Sequence, residues 1–273
     1  MGTSKSFGGP KGPQPLLPPW FDDGGVDGDD NSEIEPTPAI GKQPRIFNPE
    51  IAGATWSQAR SSLTRYVSSP TRSNLRRAAR AYSRAVGGSK GAARSAVSFK
   101  RTGARFLKFI SGVSSKGLAA TLELFGLAEI IGRSSDYAIA KIADKLAPQG
   151  DTLEDVDARK AFVDTMAELY TQYLSKSTDL KALESLKVED IQLVFLSYVA
   201  NYIFQRWLHA LGISLEKKNV SPAKAIKLEK EIRAYVRAQV KYDFQSIDLL
   251  SMDESNAKAI INDILNTAYG CIQ

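Results

Sequence analysis

The sequence predicts an all-α protein: a helical, bundle-like body behind a disordered, Pro/Gly-rich N-terminal tail. Three observations predict it. From about residue 57 onward apolar side chains recur at three- and four-residue intervals, and alternation of the strand type is almost absent. Helix punctuation is frequent, as at Ser221-Pro222, where serine suits an N-cap and proline the first helical turn. Nine of the twelve prolines and eight of the twenty glycines fall in residues 1–50, where no apolar period exists.

The head, residues 1–50, contains DDGGVDGDDNSEIE and buries too little surface to offset its ordering entropy, so it is expected to be disordered. Its apolar islands, Leu16–Leu17 and Trp20–Phe21, are candidate docking anchors for a partner or for the body. Residues 51–117 form a basic Arg/Gly/Ala-rich helical segment. Leu63, Tyr66 and Val67 suggest a helix closing near Pro70. Ser73 is the expected cap of a second, NLRRAARAYSRAV, ending at Gly87–Gly88. A third is expected from Ala92 to about Ile110, weakened by Gly103. GGSKGAAR reads as a flexible hinge, since it lacks phosphate-loop spacing and a preceding strand.

Residues 118–273 read as a helical domain. Leu118, Leu122, Phe125, Leu127, Ile130 and Ile131 make one apolar face, continued by Tyr137–Leu146 up to Pro148. Asp151–Glu154 resembles a capping box with Asp151 as cap, opening a helix through Tyr173. A short helix near 180–186 is followed by a long one from Val188 to Leu211. That run carries Gln192, Asn201, Gln205 and Arg206, which favours a buried helix over a membrane span. After Ser221-Pro222, the residues Ile226, Leu228, Ile232, Tyr235, Val236 and Val240 share a face. The last helix is expected from Glu254 to Ala268, with Gly270 as terminator.

Composition excludes much chemistry. One cysteine, Cys271, allows no internal disulfide, in keeping with a reducing cytoplasm. One histidine, His209, with that cysteine cannot make the usual zinc or iron–sulfur site, and no cofactor is expected. His209 reads as structural or surface, and Asp151, Glu154, Asp155 and Asp157 as acids decorating a helix N-terminus. No catalytic residues are assigned.

Charge carries the stronger signal. Residues 1–50 hold four basic and eight acidic side chains; residues 51–122 hold fourteen basic and no acidic ones; the remainder holds eighteen and twenty-two. Ten of the fourteen cations are arginine, whose fork suits phosphate. Arg76, Arg77, Arg80 and Arg84 share one helix face, and Arg94, Lys100, Arg101 and Arg105, followed by Lys108, continue the theme. A nucleic-acid backbone, an acidic protein partner and the acidic head are all suitable counterparts. Residues 98–132 also allow a membrane-surface reading, with Phe106, Leu107 and Phe109 as inserting side chains.

The N-terminus offers one reactive group. MGTSKS matches a myristoylation pattern that bacteria generally do not use. Removal of Met1 exposes the Gly2 α-amine, whose pKa of about 7.7–8.0 leaves far more free amine near neutrality than lysine has.

Taken together, MGTSKS…GPKGPQPLLPPW, the acidic Pro/Gly spacer and LRRAARAYSRAVGGSKGAAR resemble the QatB family of bacterial Qat antiphage defence systems, best over residues 1–110. The resemblance implies a non-enzymatic, cytoplasmic defence subunit. Its implied partners are an ATPase, a QueC-like enzyme and a TatD-like nuclease. QueC-type enzymes activate a deazaguanine carboxylate and pass it to an amine. The resemblance therefore implies Gly2 as a candidate modification site. A nucleic-acid-binding adaptor with an unmodified tail and a membrane-acting effector are the alternatives.

Overall fold

The computed structural model describes residues 49–175, 180–218, 220–243 and 254–271, all helices and short connections. The order is α1 (Pro49–Ser68), α2 (Arg72–Ala85), α3 (Gly88–Ser95), α4 (Val97–Lys116), α5 (Leu118–Leu124), α6 (Ser135–Leu146), α7 (Leu153–Leu169), α8 (Val188–Lys218), α9 (Pro222–Asp243) and α10 (Glu254–Cys271). Short 3-10 turns lie at Ala128–Ile130 and Leu180–Ser185, and α7 runs into a π turn, Tyr170–Leu174. The all-α class stands. Residues 1–48 of the head, with the candidate residues Gly2, Leu16, Leu17, Trp20 and Phe21, lie outside the described residues, while its last two residues open α1.

α8 supplies the centre. Phe195, Tyr198, Val199, Tyr202, Ile203 and Trp207 are all buried, so this run is a core helix. No described helix is long and apolar enough to cross a membrane. α7, α9 and α1 pack most extensively on α8, and α4 and α10 also reach it. Phe99 stacks on Tyr198 and Tyr202 at 4.5 and 4.3 Å, while Phe162 meets Phe106 and Tyr198 edge-on. Residues on both sides of the expected 117/118 segment boundary contribute to this one core.

Several elements depart from their sequence reading. Thr71, not Ser73, caps α2: its hydroxyl accepts from the Asn74 amide at 3.2 Å. The expected third helix is two. GGSKGAAR is no hinge: its residues 88–94 belong to α3, which packs on α10 and buries Ala92 and Ala93. Gly87 sits at φ 89°, and a side chain at Gly91 would meet the Val86 carbonyl at 2.6 Å, so the glycines make a tight turn. Gly103 likewise permits close approach, since a Cβ there would touch Ile261 and Tyr198 at 3.4 Å.

The capping box of α7 lies one residue later than expected, Thr152 pairing with Asp155. Ile131 and Ile226, expected on apolar faces, are exposed. The chain leaves the helix after Leu124 and turns Ile131 outward. Ile226 precedes the stretch of α9 that reaches the core. α8 extends to Lys218, and α10 continues through Gly270 to Cys271.

Candidate functional site: two cationic helix faces

α2 is divided lengthwise. Leu75, Ala78, Ala79 and Tyr82 are buried, largely against α1, and the opposite side carries exposed Arg76, Arg77, Arg80 and Arg84. Arg76, Arg80 and Arg72 lie near enough to Tyr235 of α9 to act on its charge. Burial pushes the Tyr235 hydroxyl pKa up, and these three guanidinium groups pull it back. Arg76, Arg77 and Arg84 form no ion pair with another described residue. Arg94, also exposed and without such a pair, stands in the last turn of α3.

α4 carries the second group. Lys100 donates to Asn262 of α10 at 3.4 Å. Exposed Arg101 stands near Asp155 and helps hold that carboxyl below its usual range, although hydrogen bonds from Ser98 and then Thr152 act more strongly. Arg105 opens into a cleft of about 600 Å³ between α4, α5 and α6. Lys108, Lys116 and Lys145 line it too, with Leu124 and Phe125 at its wall and no acidic side chain. Lys145 escaped the sequence reading because it lies on α6, outside the acid-free block. A helical cation reaching back towards a basic run was its only signal.

α2 and α4 have no sizeable contact. α2 lies on α1 and α3, and α4 on α5, α7, α8 and α10. The continuous basic block is thus presented as separate faces. Each offers guanidinium or ammonium donors to phosphate or carboxylate. Neither offers a nucleophile held by a base. Among the described residues no cluster of histidine, cysteine, aspartate and glutamate suits a metal ion.

The acids of α7 do more than the sequence indicated. Glu154 accepts from the Ser98 and Phe99 amides at 2.8 and 3.1 Å and from the Tyr202 hydroxyl at 3.0 Å. Ala96 at the cap position of α4 has no side-chain oxygen, so α7 caps α4 from outside. Asp157 is buried and pairs with His209 Nδ1 at 2.8 Å. Phe106, Leu107 and Phe109, the anchors of a membrane-surface reading, are buried in the core.

The family model described as "Qat anti-phage system associated protein QatB" matches residues 87–272, more than half of the chain. The chain belongs to the QatB family. This match runs from α3 to α10, whereas the resemblance was read best over residues 1–110, so the two overlap at 87–110. No curated protein and no solved structure matches the chain. As a QatB family member it is a component of an anti-phage defence system, and the other subunits of that system are its partners.

Proposed function

We propose that this QatB family chain is a non-enzymatic, cytoplasmic subunit. In this reading its Gly2 amine is acylated by a QueC-like partner with a nucleobase-type group, and its body is the adaptor that holds the partners. Leu16, Leu17, Trp20 and Phe21 dock the tail, and Arg76, Arg77, Arg80, Arg84, Arg94, Lys100, Arg101 and Arg105 meet acidic partner surfaces. Family membership supports the defence role. The observation that carries the adaptor role is the exposed arginine face of α2, on which Arg76, Arg77 and Arg84 form no ion pair with another described residue. The tail chemistry rests on the low pKa and small size of a glycine α-amine. The ATPase and TatD-like nuclease complete the complex.

The test is the intact mass of the chain co-expressed with and without its QueC-like neighbour. An added N-terminal mass is expected only with that neighbour. Gly2→Pro keeps Met1 removal but replaces the primary amine with a constrained secondary one, and protection should disappear together with the mass shift. An unmodified N-terminus in the protective complex refutes the tail chemistry and leaves the adaptor role to the tail anchors.

The α4–α6 cleft favours a second reading, a nucleic-acid-binding adaptor with an unmodified tail, because its walls hold four cations and no acid. Duplex binding by the isolated chain that weakens steeply with salt supports it. Binding indifferent to Lys116→Glu and Lys145→Glu counts against it.

A further inference from the structure

Where α1, α2, α7 and α8 meet there is a separate cleft of about 360 Å³ that neither cationic face uses. Its walls are apolar: Leu63, Val86, Leu153 and the rings of Trp56 and Tyr82, which meet edge-on at 6.2 Å. Leu153 is 63% exposed, an apolar side chain at the cleft with no core role. Tyr82 is fixed by stacking on buried Trp207 at 5.8 Å. The walls are therefore prearranged by the core.

The polar groups converge on one carboxylate. The Asp157 side chain is 3% exposed, and His209 uses Nδ1 to hold it, which leaves Nε2 as the outer edge of the ring. Arg206 Nη1 stands 3.8 Å from the other carboxylate oxygen, too far for a hydrogen bond. Burial pushes the Asp157 carboxyl up from its ordinary range, and His209 and then Arg206 pull it back down. Arg60, exposed at the rim, has no ion pair with another described residue. Arg206 and His209 thus share a single acid, and the Arg60 guanidinium at the rim is left for another anion. Pockets of this size, with mostly apolar walls and a few convergent polar groups, are the usual form of small-molecule sites.

We propose that this cleft binds a small planar aromatic anion, a ring carrying one carboxylate or phosphate. The ring lies against Trp56 and Leu153, and the anionic group meets Arg60 and, with His209 as imidazolium, its outer N–H. Asp157 and Arg206 are positioning residues: Asp157 orients the imidazole, and Arg206 offsets the buried charge.

Calorimetric titration of the full chain with indole-3-acetate and with 1-naphthyl phosphate tests this, with indole and 1-naphthol as neutral counterparts. At least one anion should bind with Kd below about 1 mM, and its neutral counterpart at least about tenfold more weakly. The two probes separate carboxylate from phosphate as the preferred group. Arg60→Gln and His209→Gln should each weaken the bound anion several-fold, with unchanged helical circular dichroism. Trp56→Ala should weaken both the anion and its neutral counterpart. Arg60 is exposed, so Arg60→Gln decides the matter even if Trp56→Ala fails to fold. Absence of binding by both anions, equal affinity for charged and neutral rings, or indifference to Arg60→Gln overturns the proposal.

Discussion

In α7–α9 the described arginines are held by carboxylates. Arg233 reaches Asp164 at 3.2 Å and lies over the Phe204 ring at 4.4 Å. Arg237 pairs with Glu168, and Asn201 joins both arginines while donating to Thr165 at 3.1 Å. In α2–α4 the arginines meet no acid on their own helices, because residues 51–122 contain none. Arg76, Arg77, Arg84, Arg94 and Arg105 have no ion-pair partner among the described residues. The same side chain thus serves two ends. Between helices and beside acids it fixes their register. On an acid-free face it leaves charge directed outward, available to another molecule.

Substitutions on the two sides should therefore differ in kind, and the largest loss of stability belongs to the paired side. Arg233→Glu removes the partner of Asp164 and sets three carboxylates together. A fully buried pair costs about 3–5 kcal/mol to break; these side chains are about one-third exposed, so about 2–3 kcal/mol is expected by urea unfolding. A loss under about 0.5 kcal/mol, the range of ordinary surface substitutions, would erase the distinction.

The next effect lies where the two regions join. Glu154→Ala strips the external cap from α4 and should cost about 1–2 kcal/mol, with Glu154→Gln recovering part through its remaining carbonyl oxygen. Hydrogen exchange should quicken first at the Ser98 and Phe99 amides. Exchange that quickens uniformly along α4 instead would show that the cap is not what holds its first turn.

A smaller, pH-dependent effect is expected at Asp155. Hydrogen bonds from Ser98 and then Thr152 hold its folded pKa below the usual value. Its stabilisation is therefore present above the unfolded pKa of about 3.9 and is lost as pH falls through the lower folded value. Melting curves of the parent and Asp155→Asn should differ at pH 7 and converge below about pH 4. Parallel curves across that window would contradict the assignment.

The smallest effect on stability is expected for Arg76, Arg77, Arg80 and Arg84 changed together to glutamate. Melting temperature and helical circular dichroism should stay nearly constant while phage protection is abolished. A soluble, folded and fully protective variant would make the α2 face an ordinary solvated surface.

Local chemistry made much of this molecule legible in advance. The 3.6-residue apolar period, Pro222 after Ser221 and the run around Phe195–Trp207 led to the all-α class and the central helix, because helix periodicity is written in neighbouring residues. The acid-free block and the arginine face of α2 were equally visible. Register and partnership were not. Asp157 reads as a helix-end acid until folding brings His209 to 2.8 Å, 52 positions away in the chain. Glu154 reads as part of its own helix's cap until α4 arrives to use it. Gly103 reads as a weak point until Tyr198 and Ile261 fill the space that a side chain would take. Lys145 joins Arg105 only because α6 folds back beside α4. Each of these depends on which helix faces meet. Many remote positions offer the same short-range signal, and burial selects one of them.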